Sequence, residues 1–416
     1  MEEGSLGTNC FSSSCLSRLP IFLHLGAKPI RICTASSSRA SEAARSPVDI
    51  VMEKQSMSIY LRDLERITKG FSDQLKIGSG GYGEVYKGVY KGEEIAVKML
   101  HNDLAFEDKT FENEFANLMR INHPNIVRLI GYCYETQHKH VEYKGELRFS
   151  QYTYRILCFE YMQGGSLDKY LKESRDHDWQ TRYKITKGIC EGLYFLHRGW
   201  STPIFHLDLK PANILLDKSL APKIADFGLS KLFNGTHTYT AGTCTGSIEY
   251  MPPEFLKNRH VSEKYDVYSL GIIIIQIIAG RTGYSEFSEM EDAPRFIELV
   301  NRNWSQYIDA TTSPCPSSEL DQVDTCIKMA IECVDPERKN RPTIAKILHI
   351  LNETEKRFPV EWRNRAQFLD KVLGAIARNS PGGKFHPIPV PDKPSLSVPF
   401  SLLLDNILNS TLETSY

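Results

Sequence analysis

IGSGGYGEVYKGVYKGEEIAVKML, residues 77–100, sets glycines at 78, 80 and 83 ahead of sequence that alternates instead of coiling. G-x-G-x-x-G also occurs in dinucleotide sites, but there the last glycine opens a helix. Here Gly83 leads into EVYKGVYKGEEIAVKM, which reads as two strands joined by a turn. Within EIAVKML, Ile95, Val97 and Met99 fall on one face, and Ala96 and Lys98 on the other. The stretch predicts a glycine-rich hairpin built into a sheet. Lacking Cβ atoms, such a hairpin can lay backbone N–H groups over phosphates. Taken alone, the glycines are equally compatible with an ordinary turn.

Lys98 sits between apolar neighbours, where a buried ammonium is costly unless an anion meets it. Ala96, on the same face, leaves room for a flat ring. A base against Ala96 and Val85 with phosphates at Lys98 is the arrangement these residues suggest. The following TFENEFANLM spaces Phe111, Phe115, Leu118 and Met119 as one face of a helix. Glu114, at the margin of that stripe, is placed to face inward and pair with Lys98. Glu112, near the opposite margin, is the alternative, and pattern alone does not choose.

FHLDLKPANILLD, residues 205–217, crowds Asp208, Lys210 and Asn213 around a proline, and ADFGLS follows with Asp226. Phosphoryl transfer from a nucleotide needs a hard cation, for which carboxylate and amide oxygens are suitable ligands. It also needs a group to orient the attacking hydroxyl and take its proton. Asp226 and Asn213 fit the metal role and Asp208 the hydroxyl role, and Lys210 can neutralise charge on the group in flight.

With PPE at 252–254, the order and spacing of these motifs resemble the eukaryotic-type protein kinases over residues 71–352. RDLERITKGFSDQLKIGSGGYGEVYKG, GSLDKYL and MPPEF are similar to the plant receptor-like Ser/Thr kinase group. The resemblance implies an α+β bilobal fold, with a β-rich lobe at about 71–162 and a helical lobe at about 163–352. It implies ATP and Mg2+, with ATP contacts from Ile77, Gly78, Ser79, Gly80, Gly81, Tyr82, Gly83, Val85, Ala96 and Lys98. Phe159 resembles the gatekeeper, the backbones of Glu160 and Met162 would meet adenine, and Leu215 would floor its pocket. Asp208 corresponds to the catalytic base, Lys98 and Glu114 to the ion pair, and Asn213 and Asp226 to the metal ligands. Glu254 and Arg341 resemble a structural ion pair, and Asp266 the residue bracing the catalytic loop. DLKPAN, with Lys210, is the Ser/Thr form. The alternative is a pseudokinase scaffold that holds nucleotide without turnover, but no member of this polar set is missing. A small-molecule phosphotransferase is disfavoured by the peptide-surface elements after DFG.

Leu207 departs from the pattern. Most of the family carries arginine there, which pairs with a phosphate on the activation segment. Leucine cannot, so a non-RD enzyme without the phosphate–arginine clasp is expected. Ser247 replaces the usual threonine but keeps the hydroxyl, and Glu249 adds charge beside the peptide surface. Thr236, Thr238, Tyr239, Thr240, Thr243 and Thr245 are phosphorylatable.

The bulk composition adds limits. Lys plus Arg total 50 against 51 for Asp plus Glu in 416 residues, so no nucleic-acid partner is predicted. Protein substrates, and through the family a membrane receptor complex, are the expected partners. Ten cysteines without metal or CxxC spacing suit a reducing, cytoplasmic setting. The most apolar run, Ser269–Gly280, is too short to span a bilayer and reads as a core helix. Residues 1–58 are Ser-rich and read as a disordered extension. An organelle transit peptide is the alternative, opposed by the acidic MEE start. Between Tyr134 and Arg155 a strand-rich hairpin insertion is expected, with His138 and His140 on a solvated loop in preference to a metal site. Residues 353–416 hold one basic amphipathic helix, from Trp362 to Arg378, and then a Pro-rich tail. Packing on its own domain is preferred over docking to calmodulin or a membrane.

Overall fold

The computed structural model describes residues 57–81, 83–101, 107–143, 146–173, 178–200, 202–232, 238–241, 246–311 and 316–357. The readings of Tyr82, Thr236, Thr243, Thr245, residues 1–56 and the segment beyond 357 lie outside these residues.

Five antiparallel strands form the first lobe: β1 (Lys76–Gly80), β2 (Gly83–Tyr90), β3 (Glu93–Leu100), β4 (Leu129–Tyr143) and β5 (Glu146–Glu160), in the order β1-β2-β3-β5-β4. The alternation of EIAVKML divides its two faces. Ile95 and Val97 pack with Tyr86, Cys133 and Ile156 under Leu61 and Leu64 of helix α1 (Leu61–Ile67). Ala96 instead joins the cluster containing Leu157, Phe159 and Phe111 of helix α2 (Glu107–Leu118). The packed lobe reaches upstream of Phe71: Ser58 bridges to Tyr132, and the Leu61 N–H donates to the Glu135 carboxylate at 2.8 Å. The expected insertion is a long β4–β5 hairpin, in register from Tyr134↔Arg155 to Tyr143↔Glu146.

The second lobe is mainly helical: α3 (Leu167–Glu173), α4 (Trp179–Arg198), α5 (Pro253–Asn258), α6 (Glu263–Ala279), α7 (Gly283–Met290), α8 (Ala293–Thr311), α9 (Pro316–Cys333) and α10 (Ile344–Lys356). Asp178 caps α4 by accepting the Thr181 N–H at 2.7 Å. The isoleucine run of α6 is core: Ile272–Ile275 are at most 1% exposed. No single helix among the described residues is long and apolar enough to cross a membrane. Gly271 lets α9 approach α6, since a Cβ there would lie 2.6 Å from that of Cys333. Residues 325–350 fall in two helices, α9 and α10. Between α9 and α10, Pro336 and Pro342 interrupt the backbone ladder, and Thr343 starts the new helix by accepting the Lys346 N–H at 3.2 Å.

Short strands carry the loops toward the first lobe: β6 (Gly165–Ser166), β7 (Ile204–Phe205), β8 (Ile214–Leu216), β9 (Pro222–Ile224), β10 (Lys231–Leu232), β11 (Thr238–Thr240) and β12 (His260–Ser262). β8 pairs with β6 and β9, β7 with β10, and β11 with β12. A second, smaller apolar cluster lies under these pairings: Phe205, Leu207, Met251, Phe255, Val261 and Tyr265, with Ala241 against it.

Candidate active site

The glycine hairpin is the β1–β2 turn, with Gly78 opposite Val85 and Gly80 opposite Gly83. Gly83 has φ +155°, and a Cβ there would come within 2.2 Å of the Met99 carbonyl oxygen. Only glycine fits that position. Gly80 and Gly81 face open space. Ser79 lies between, and Ile77 is exposed at the strand edge.

Lys98, opposite Val85 in the sheet, lies at the centre of a three-way contact. Its Nζ is 2.9 and 3.1 Å from the Glu114 carboxylate oxygens and 2.9 Å from Asp226 Oδ1. Lys98 thus meets a carboxylate 128 positions away in sequence. The ambiguity in α2 is resolved: Glu114 is fully buried, while Glu112 is exposed. Burial works against the Lys98 ammonium, but the Glu114 and Asp226 carboxylates outweigh it and hold the lysine charged, above its ordinary range. Glu114 is so enclosed that burial raises its carboxyl in spite of Lys98. Asp226 is a quarter exposed at its side chain, and there Lys98 prevails over burial and lowers the carboxyl.

The loop between β7 and β8 supplies the other polar groups. Asp208 Oδ2 accepts from Lys210 Nζ at 2.8 Å and from Asn213 Nδ2 at 3.0 Å, and Oδ1 accepts the Ser247 N–H at 3.0 Å. Lys210 Nζ also donates to Ser247 Oγ at 2.8 Å. Asn213 Nδ2 donates in addition to the Asp208 carbonyl at 2.9 Å. With its amide nitrogen committed to Asp208, Asn213 has its oxygen as the atom that could meet a metal. Asp226 with this amide makes a hard-oxygen pair suited to a divalent cation. Asp266 braces the loop: its carboxylate accepts the N–H groups of His206 and Leu207, both at 2.8 Å. Those bonds hold Leu207 at φ +65°, a region that costs a leucine about 1–3 kcal/mol.

Ala96 and Leu215 are both half-buried against the shared core, and Phe159, Glu160 and Met162 form the passage from β5 to the second lobe. The Glu160 N–H is taken by the Arg128 carbonyl at 3.1 Å, and the Met162 carbonyl accepts from Gly165 at 3.1 Å. Farther off, Arg341 makes a two-pronged contact with Glu254 at 2.7 and 2.8 Å.

A glycine hairpin over a lysine–carboxylate pair, faced by an Asp–Lys–Asn loop and a second aspartate, matches the protein kinase domain, which spans residues 71–351 of this chain. The chain belongs to the protein kinase family. The kinase is similar to cysteine-rich receptor-like protein kinase 29 of Arabidopsis thaliana, 34% identical over 320 residues that cover 74% of this chain and 45% of that protein. It is also similar to cysteine-rich receptor-like protein kinase 6 of Oryza sativa subsp. japonica, 34% identical over 80% of this chain and 47% of that protein. A G-type lectin S-receptor-like serine/threonine-protein kinase of Arabidopsis thaliana is 34% identical over 72% of this chain and 33% of its own length. The chain spans about half the length of the cysteine-rich relatives it matches. The family uses ATP as phosphoryl donor together with a divalent metal.

Three contributors to the kinase site escaped the sequence reading. His206 accepts the Asp208 N–H at Nδ1 (3.3 Å) and meets the Ala225 carbonyl at Nε2 (3.0 Å). His197 contacts Asp266 at 2.8 Å. Asn113, beside Glu114 on α2, reaches the backbone following Asp226.

Proposed function

We propose that the protein is a Mg2+-dependent serine/threonine protein kinase that passes the γ-phosphoryl group of ATP to Ser/Thr hydroxyls of proteins. The observation that carries this reading is the convergence of Lys98, Glu114 and Asp226 across three distant segments, 2.9 to 3.1 Å apart. Ile77 to Val85 and Lys98 would receive the phosphates. Ala96 and Leu215 would enclose adenine, which Met162 and the Glu160 carbonyl would meet, since the Glu160 N–H is already committed. Asn213 and Asp226 would hold the metal, which when bound neutralises charge on the phosphate oxygens. Asp208 orients the incoming hydroxyl and takes its proton, and Lys210, 2.8 Å away, offsets charge on the transferring group. Ser247, bonded to both, ties the peptide-binding segment to the reacting groups. A scaffold without turnover has no missing group to rest on.

The reading includes a non-RD mode of control. Leu207 is buried with Met251, Phe255, Val261 and Tyr265, where the family's arginine would carry charge. β11 is held by pairing to β12, with Thr238↔Ser262 and Thr240↔His260. Hydrocarbon contact and a strand ladder support the activation segment in place of a phosphate–arginine pair. The receptor-like names of the relatives extend the proposal to plant signalling beside a membrane receptor, with protein substrates.

Purified protein with ATP and Mg2+ is expected to label itself on serine and threonine, and chelation with EDTA is expected to abolish the label. Incorporation that persists in Asp208→Ala, with contaminating kinases excluded, would overturn the assignment of Asp208.

A further inference from the structure

Asp226 is held at φ +67°, in the left-handed region that an aspartate occupies at a cost. Such a conformation persists only where neighbouring groups determine it. Lys98 grips the Asp226 side chain, and the Phe227 N–H donates to Glu114. A further restraint comes from Asn113. Its Nδ2 donates to the carbonyls of Phe227 (3.3 Å), Gly228 (3.0 Å) and Ser230 (2.6 Å). Three carbonyl acceptors around one atom fix which end of the amide is the nitrogen. Meanwhile Phe227 is wholly buried, with its ring 5.1 Å from that of His206.

We infer that Asn113 is a positioning residue for phosphoryl transfer: by binding the backbone of residues 227–230 it keeps Asp226 in the cleft and Phe227 in its pocket. Two consecutive α2 residues then divide the work. Glu114 sets Lys98, and Asn113 sets the segment that carries Asp226. Asn117, one turn further along, supplies the internal contrast. It is buried, yet among the described residues its Nδ2 has no hydrogen-bond partner. An amide on this helix is therefore not in itself a contact to the segment.

The test uses the full chain with Asn113→Ala, Asn113→Asp and Asn117→Leu. The transfer readout rests on the kinase reading, so it is paired with a spectroscopic one. Phe227 is replaced by 4-fluorophenylalanine in each background, and its 19F resonance reports whether the ring stays buried. Asn113→Ala should lower kcat/KM at least about tenfold, the loss expected from several hydrogen bonds of ordinary strength. It should also add a second 19F resonance. Asn113→Asp should fall further, because a carboxylate would face three carbonyl oxygens. Asn117→Leu should keep both kcat/KM and the single resonance. If Asn113→Ala does not fold, Asn113→Ser, which keeps one donor at shorter reach, carries the same comparison. A kcat/KM within about twofold of wild type together with one unshifted resonance overturns the inference, as does an equal loss in Asn117→Leu. Should the wild-type chain show no turnover, the kinase reading fails, and the 227 resonance alone decides the role of Asn113.

Discussion

Leu207 and Asp208 are neighbours in sequence and opposites in surroundings. Asp208 receives bonds from Lys210, Asn213 and the Ser247 backbone, all within 3.0 Å. Leu207 turns the other way, into Phe205, Met251, Phe255, Val261 and Tyr265. One carboxylate, Asp266, holds both in place from behind through the backbone N–H groups of His206 and Leu207. The two sides of a single loop therefore obey different physics. The polar side depends on placing charge to within fractions of an ångström, and the apolar side on excluding water. The difference teaches that the polar groups around Asp208 and the apolar support around Leu207 rest on separate side-chain contacts.

The largest effect belongs to the polar side. Asp208→Ala, or the isosteric Asp208→Asn, is expected to reduce kcat about 100-fold or more, while stability falls by only about 1–3 kcal/mol as the Lys210, Asn213 and Ser247 donors lose their carboxylate. Stopped-time phosphate incorporation beside a melting curve checks both halves of that statement. A variant that keeps its rate would remove the distinction between the two sides altogether.

On the apolar side the loss should fall first on stability. Leu207→Ala deletes buried hydrocarbon at a cost of about 2–4 kcal/mol. Leu207→Arg places an unpaired guanidinium in the same cluster, at a cost of about 3–5 kcal/mol. Calorimetry should show Tm falling in both, with the arginine variant lower, although arginine is the commoner residue in the family. If Leu207→Arg were as stable as wild type, the cluster would not be the support we assign to it.

How far these features could be read beforehand depended on whether their partners had a sequence signature. Lys98, Asp208, Asn213 and Asp226 stand out because each is polar among apolar neighbours, and burying such groups demands a partner. The hairpin was legible from Gly83 leading into alternation. Glu114 and Glu112 differ only by helix face, so the choice needed the packed position of α2. Asn113 could not be read at all, since its acceptors are backbone carbonyls 114 to 117 positions away, and every residue type carries a carbonyl. His197 and His206 were silent for the same reason: they act through Asp266 and through backbone. The interruption between α9 and α10 was marked by Pro336 and Pro342, but apolar residues on either side, among them Val334 and Ile344, let the helical pattern run through it. Upstream, Leu61 and Leu64 add to the core ahead of Phe71, where the matched family domain begins, and no motif marks them.

Asp266 joins the two sides and gives a pH test of intermediate size. Burial opposes its charge, but His197, with help from His206 and the Leu207 N–H, prevails and holds the carboxyl below its ordinary 3.8. A lowered folded-state value means that the unfolded chain binds the proton more tightly. The stabilisation from Asp266 is therefore complete above about pH 4 and is lost as the pH falls from there through the folded value. Asp266→Asn should lose about 1–3 kcal/mol at neutral pH, since one of two backbone donors is left facing an amide nitrogen. It should also show a shallower decline of stability below pH 4. Denaturant midpoints measured from pH 7 to pH 3 distinguish this from a general loss, which would leave the slope unchanged.

The smallest expected effect is none, and it tests the apolar side most directly. Phosphatase treatment removes phosphate from Thr238, Tyr239 and Thr240 along with any other site. Where an arginine precedes the catalytic aspartate, that treatment takes away half of an ion pair that orders the segment. Here the corresponding side chain is a leucine at 8% exposure, and it has no charge to lose a partner. Among the described residues, the segment is held by the β11–β12 ladder, closed by the Ala241 N–H on the Arg259 carbonyl at 2.9 Å, with Ala241 lying against the Leu207 cluster. These contacts are backbone pairing and hydrocarbon packing. The initial rate on an added protein acceptor should therefore change by less than about twofold after dephosphorylation, whereas a loss near tenfold, about 1.4 kcal/mol, would require a phosphate contact of ion-pair strength. In Leu207→Arg the same treatment should begin to matter, because the new guanidinium gives a segment phosphate something to bind. Sensitivity in the variant and insensitivity in the wild type, measured side by side, would locate the difference at this one side chain.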